Sequence, residues 1–180
     1  FGFGAKTNLK LPGESAGVVP TPEANEIARR ATVSYGYGLQ VTLAQLAQAY
    51  SVLGAGGVMH PLTIIKSTRD NALNNSSTNN VAVPFAKPST SQVIKNSDAL
   101  AIVDMLTAVT EPGGTGTLAA IDGYRVAGKT GTARRTNPNG GYYDDQYRTA
   151  FVGIAPASNP RFVVAIMVER SEEHTSELQS

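Results

Sequence analysis

The chain contains no cysteine. That excludes a disulfide framework and any thiolate metal site, while leaving the compartment open. Its histidines are two, His60 and His174, so no cluster of imidazoles is available to hold a metal, and no cofactor is expected. Charge is scarce. Asp, Glu, Lys and Arg make up 16% of the 180 residues and the formal net charge is +1, against about 25% charged residues in an ordinary globular chain. The arginine pairs Arg29-Arg30 and Arg134-Arg135 are isolated and not interleaved with aromatics, so no nucleic-acid footprint is present. No apolar run is long enough to span a bilayer, and no signal-peptide pattern is found. The chain opens on Phe1 without a methionine, and its start is expected to lie further upstream.

Hydrophobic residues reach 41%, enough for the core of one domain or for most of a larger one. Residues 1–22 are rich in Gly and Pro and read as loops, and Glu23 to Arg30 adds a helical turn or two after Pro22. Thr42 followed by Gln45 forms a capping box. It opens a helix with Leu43, Leu46, Ala47, Tyr50 and Val52 or Leu53 on one apolar face, ending at Gly54. Val58 to Lys66 reads as extended. Residues 67–92, dominated by Asn, Ser and Thr, read as a polar surface insertion. A second helix is expected from a Ser97 cap to about Thr110, with Ala99, Ile102, Val103, Leu106 and Val109 as its stripe. Glu111-Pro112-Gly113-Gly114-Thr115-Gly116 breaks it. Three strands follow, Tyr124–Ala133, Thr149–Ala155 and Arg161–Val168, with a turn at Asn137-Pro138-Asn139-Gly140-Gly141. The apolar, β-branched run Phe162–Val168 reads as a buried strand. Helices followed by consecutive strands give an α+β class: an antiparallel sheet flanked by helices.

Residues 170–180 break with what precedes them. Arg-Ser-Glu-Glu-His-Thr-Ser-Glu-Leu-Gln-Ser matches an in-frame translation of a common sequencing adapter. It is expected to be foreign, which leaves 1–169 as the native part and places the natural C-terminus beyond it. Without Arg170, Glu172, Glu173 and Glu177 the net charge rises from +1 to +3.

The chemistry concentrates on the first expected strand, where two motifs overlap. Gly123 to Thr130 spells the phosphate-loop pattern G-x-x-x-x-G-K-[ST]. A phosphate loop needs a helix starting at its Lys-Thr. Here bulky strand formers precede the pair and a Pro/Asn/Gly turn follows, so the pattern is coincidental. The other motif is Lys129-Thr130-Gly131, part of the signature of serine β-lactamases and penicillin-binding proteins. A lysine supplies a fixed positive potential that favours an anionic substrate. A threonine hydroxyl can hydrogen-bond a carboxylate. A glycine lets substrate backbone approach the strand. Thr132 can offer a backbone N–H to an oxyanion, with substrate lying along the strand like an added one. Strand alternation puts Lys129 and Thr130 on opposite faces, so one site can use both only along the strand edge. By itself the triplet also suits an ordinary strand with a surface lysine.

The flanking segments resemble one family in order and spacing over almost all of residues 1–169. Tyr35-Gly36-Tyr37-Gly38-Leu39-Gln40-Val41-Thr42 with the helix to Tyr50, then Gly56-Gly57 and Pro61-Leu62, resembles the transpeptidase domain of class B penicillin-binding proteins, above all the division-specific branch. Val126 to Arg134, Phe151 to Pro156 and Asn159 to Phe162 continue the likeness. The resemblance implies a serine transpeptidase / β-lactamase-like domain that cross-links peptidoglycan stem peptides at the septum through an acyl-enzyme and binds β-lactams. It also implies an inner-membrane protein anchored by an N-terminal helix, its catalytic domain in the periplasm and division proteins among its partners. Lys129, Thr130, Gly131 and Thr132 become substrate-binding residues. A fragment of a serine β-lactamase and a non-catalytic relative are the other readings.

The family's Ser-x-x-Lys nucleophile motif is absent: no serine here has lysine three residues on. Ser77-Thr78-Asn79 spells Ser-x-Asn, but inside the polar insertion and after the YGYG segment, in the wrong order. The expectation is that both motifs lie upstream and that this polypeptide does not acylate. His60 reads as a surface histidine, Asp144-Asp145 as a solvated turn, and Glu14, Glu23 and Glu26 as solvated surface charges.

Overall fold

The computed structural model describes residues 1–7, 9–65, 67–68, 83–84 and 89–170. The expected Ser77-Thr78-Asn79 coincidence, most of the polar insertion and tail residues 171–180 lie outside that set. In chain order the elements are α1 (Ile27–Ser34), α2 (Leu43–Gly54), β1 (Val58–Met59), β2 (Ser67–Thr68), β3 (Val83–Pro84), β4 (Ser91–Gln92), α3 (Asn96–Thr107), a 3-10 turn (Thr117–Ala119), β5 (Ala127–Thr136), β6 (Tyr142–Ala155) and β7 (Phe162–Arg170). The last three form an antiparallel sheet in the order β5-β6-β7. The α+β expectation holds. So does the rejection of the phosphate loop, because Lys129-Thr130 sits inside a strand and no helix begins there.

Helix α2 starts as its sequence dictates. Thr42 Oγ1 accepts from Gln45 N at 3.1 Å and Gln45 Oε1 accepts from Thr42 N at 2.8 Å, a complete capping box. Its buried side differs from the expected one. Gln45, Gln48, Ala49, Val52 and Leu53 are buried, while Leu43 is 41% exposed. The amide of Gln45 explains the rotation: its Nε2 donates to the carbonyls of Ala5 at 2.7 Å and Ala16 at 2.8 Å. A fully buried amide that meets its hydrogen-bonding needs escapes the desolvation penalty. The N-terminal segment therefore lies on the glutamine side.

Helix α3 has its expected stripe, with Ala99 and Val103 buried, but not its expected cap. Lys95 is the N-cap and makes no side-chain cap bond, while Ser97 Oγ donates to Asp98 Oδ1 at 3.1 Å. Helix α1 begins at Ile27 and runs to Ser34 rather than ending at Arg30. β1 pairs with β4, Val58 opposite Gln92 and Met59 opposite Ser91, so the far end of the expected insertion is a strand.

Leu53 of α2, Val103 of α3, Ala127 of β5 and Ile154 of β6 form the buried cluster, with Tyr50, Ile94, Ile102, Leu106, Ala157 and Val163 packed round it. Each large side chain so buried contributes about 1.5–3 kcal/mol. The two helices thus cover one face of the sheet. The expected buried strand Phe162–Val168 is open on its other face: Val164 is 52%, Ile166 52% and Val168 57% exposed. Among the described residues no helix packs there, so its apolar run reflects one covered face rather than two.

Candidate functional site

The β5–β6 register sets the site. Ala127 lies opposite Ile154, Gly128 opposite Gly153, Lys129 opposite Val152, Thr130 opposite Phe151, Gly131 opposite Ala150 and Thr132 opposite Thr149. Directly opposed residues share a face. Lys129 and Gly131 therefore belong to the helix-covered face, and Thr130 and Thr132 to the other. β5 has a partner on one side only. Along its outer edge, among the described residues, backbone groups of Lys129 to Thr132 are open to an added strand, the geometry required for one site to use both faces.

Up to Gly128 the strand is sealed. Val126 is 5% and Ala127 0% exposed, and the Val126 carbonyl accepts from Thr110 Oγ1 at 2.7 Å. A Cβ on Gly128 would lie 2.7 Å from the Phe151 ring. Beyond it the strand opens: Lys129, Gly131 and Thr132 are exposed and Thr130 is half-buried. A Cβ on Gly131 would meet nothing within 4 Å, and Gly131 is not among the glycines with positive φ. The fold itself therefore does not require glycine at this position.

Lys129 Nζ donates to the Thr130 carbonyl at 2.8 Å. The neighbouring arginines are held by carboxylates: Arg134 to Asp144 at 3.4 Å, and Arg135 and Arg148 to Glu169 at 2.6 and 3.3 Å. Among the described residues Lys129 has no such partner. An exposed charge at a strand edge attracts anions at long range.

Thr115 is the residue that sequence reasoning missed. Its Oγ1 lies 2.8 Å from Thr130 Oγ1. The loop Glu111–Gly116 reads in the sequence only as a helix breaker. The available signal was a hydroxyl set among three glycines shortly before the strand. Phe151 explains part of that spacing, because Gly116, Gly128 and Gly153 all lie close against its ring.

Other candidates resolve simply. His60 is exposed. Asp144 and Asp145 are on β6, not in a turn. Strand pairing continues past them to Tyr142, opposite Thr136, because the turn sits at Asn137–Gly141, where Asn137 N donates to the Gly141 carbonyl at 3.0 Å. Glu14 is engaged rather than free: Thr7 N donates to it at 2.6 Å, and the Thr7 hydroxyl donates to the same oxygen. Glu26 accepts from Glu23 N at 2.8 Å and pairs with Arg29 at 3.0 Å. The Tyr37 ring of the YGYG segment lies 6.0 Å from that of Tyr142 at the start of β6. A cleft whose lining includes Val18, Pro20, Arg29, Thr32, Val33 and Tyr37 contains none of the β5 residues. Among the described residues no three His, Asp or Glu side chains are grouped to hold a metal.

Proteins similar in sequence and fold are known. The family model for the penicillin-binding protein transpeptidase domain matches residues 1–180. The probable peptidoglycan D,D-transpeptidase PenA of Neisseria gonorrhoeae is 38% identical over 174 residues, covering 97% of this chain and 27% of that protein. Peptidoglycan D,D-transpeptidase FtsI of Escherichia coli K12 is 39% identical over 168 residues, covering 93% and 26%. The chain thus spans about a quarter of the length of these relatives. Among solved structures, penicillin-binding protein 3 of Mycobacterium tuberculosis complexed with aztreonam superposes with a TM-score of 0.83 at 38% identity, covering 94% of this chain and 38% of that one. The transpeptidase domain of Burkholderia pseudomallei penicillin-binding protein 3 gives 0.74 at 38% identity, covering 93% and 46%.

Proposed function

Because the chain belongs to the penicillin-binding protein transpeptidase-domain family, we propose that it is the substrate-strand portion of a longer peptidoglycan D,D-transpeptidase. In this reading Lys129, Thr130, Gly131 and Thr132 bind the stem peptide or a β-lactam, and a serine elsewhere in the longer protein is acylated. The observation that carries it is Gly131: exposed, in ordinary strand geometry, with open space where a side chain would be. The fold has no need of glycine there, but a peptide strand laid on the β5 edge does.

The roles follow from chemistry. Lys129 draws the anionic substrate and holds its charge near the reacting carbonyl. Thr130 donates its hydroxyl hydrogen to a carboxylate. The Thr132 N–H stabilises the oxygen that becomes negative as the carbonyl is attacked. No serine with lysine three residues on occurs in the 180 residues, so the attacking oxygen and its base come from outside them. The relatives are named as D,D-transpeptidases, which favours cross-linking over β-lactam hydrolysis. An inner-membrane anchor, a periplasmic catalytic domain, septal action and division partners belong to the same proposal. None of the helices in the described residues is long and apolar enough to cross a membrane, which leaves the anchor to other parts of the longer protein.

The test is labelling with a fluorescent penicillin. The longer protein is expected to form a one-to-one covalent adduct that survives denaturation, and the 180-residue chain none. A stoichiometric adduct on the 180-residue chain, or none on the longer protein, would defeat the proposal.

A further inference from the structure

We propose that Thr115 is a positioning residue: its hydroxyl donates to Thr130 Oγ1, and this aims the Thr130 O–H outward at an incoming carboxylate. The proposal rests on the reading of Thr130 given above.

A threonine hydroxyl has one hydrogen to give and two lone pairs to receive. Thr115 Oγ1 and Thr130 Oγ1 are 2.8 Å apart, so one of the two is the donor. If Thr130 gave its hydrogen to Thr115, none would be left for a carboxylate, which only accepts. Carboxylate binding therefore fixes the direction as Thr115 to Thr130 to ligand. A chain of hydrogen bonds running one way polarises each member and strengthens the last.

Thr115 also sits on a firm mount. Thr110 Oγ1, at the base of the loop, is bonded to the Val126 carbonyl at 2.7 Å. Gly114 N donates to the Glu111 carbonyl at 2.9 Å, and Gly116 N to the Val109 carbonyl at 2.8 Å. A Cβ on Gly114 would lie 2.2 Å from the Val109 carbonyl oxygen, so the loop is folded to a closeness only glycine allows. Gly116 and Gly128 rest on the same Phe151 ring. Loop and strand thus share one support, and the oxygen–oxygen distance is set by both. Among the described residues Thr115 Oγ1 has no other hydrogen-bond partner.

The experiment compares Thr115→Val, Thr115→Ser, Thr130→Val and the double Thr115→Val/Thr130→Val in the longer protein, reading the second-order acylation rate constant with a carboxylate-bearing penicillin. Thr115→Val is expected to lower it about five- to tenfold, the size of one lost hydrogen bond, and Thr115→Ser to stay within about twofold because it keeps the donor. The double variant is expected to acylate no more slowly than Thr130→Val alone. A multiplicative loss in the double variant overturns the proposal, since Thr115 would then act independently of Thr130. A loss for Thr115→Ser equal to that for Thr115→Val overturns it too, since the methyl group would be what matters. If the unsubstituted protein forms no adduct, the proposed function falls, and crystal structures of the two Thr115 variants decide the inference alone. Rotation of Thr130 Oγ1 away from its place in Thr115→Val but not in Thr115→Ser supports it. An unmoved Thr130 in Thr115→Val overturns it.

Discussion

Strand β5 changes character between Gly128 and Lys129. Before that point Ala127, like Val126 just ahead of the strand, is sealed, and the Gly128 position is closed by the Phe151 ring. After it, Lys129, Gly131 and Thr132 are exposed, and the edge has no partner among the described residues. Residues of the first half answer to the fold. In the second half, Lys129 has no carboxylate partner among the described residues and Gly131 has open space where a Cβ would be, so the fold does not dictate either identity. The two glycines make the point: a ring closes on Gly128, while nothing in the fold closes on Gly131.

The largest effect expected from breaking this comparison is on Lys129. Lys129→Met keeps the stem and removes the charge. It should lower the penicillin acylation rate constant of the longer protein by about a hundredfold or more, the usual loss when one electrostatic stabiliser is taken from such a site. The melting temperature should hardly move, because the side chain is exposed and has no carboxylate partner among the described residues. A variant that acylates normally would return the triplet to an ordinary strand with a surface lysine.

Next come the glycines, taken together. Gly128→Ala drives a methyl group to 2.7 Å from Phe151 and should cost about 1–3 kcal/mol of stability. Gly131→Ala should leave stability within about 0.5 kcal/mol while slowing acylation about tenfold. Denaturant melts and labelling rates on both variants are the measurement. Equal destabilisation by the two would erase the distinction between the halves of β5.

Some of this was readable before any coordinates. Lys129-Thr130-Gly131 lies on a strand because its neighbours are strand formers, and strand alternation lets one site use both Lys129 and Thr130 only along an edge. Thr42 and Gln45 gave the start of α2 because a capping box is a local device, complete within four residues. What stayed hidden depends on distant partners. The burial of Gln45 comes from carbonyls of Ala5 and Ala16, and no helical periodicity encodes those. Thr115 reaches Thr130 only because the loop folds back over Phe151. The Phe162–Val168 run read as a buried strand, whereas the helices cover only one face of the sheet.

A smaller contrast separates the two long helices. α2 has a side-chain cap and α3 has none. Thr42→Ala should therefore cost about 1 kcal/mol. Ser97→Ala, at the position that reads as a cap in the sequence, should cost less than about 0.5 kcal/mol, since its hydroxyl meets only the neighbouring Asp98. A full capping loss at Ser97 would restore the sequence-based reading.

The smallest effect is local and depends on pH. Hydrogen bonding from the Thr7 hydroxyl and then from its backbone N–H outweighs burial and holds the Glu14 carboxyl below its ordinary value. A carboxyl lowered in the folded state contributes stability above its unfolded pKa, and that contribution is lost as pH falls through the folded value. Acidifying through the ordinary carboxylate range and below it should therefore release Thr7 from Glu14. The readout is amide exchange at Thr7, corrected for the intrinsic pH dependence of exchange. Protection should fall over that window in the unsubstituted protein and be flat in Glu14→Gln. Because Lys129 has no such carboxylate contact among the described residues, protection at Thr130 should not follow the same titration. If it did, the N-terminal segment and β5 would open as one unit, and the contrast drawn between the two parts of β5 would not extend to the chain's first turns.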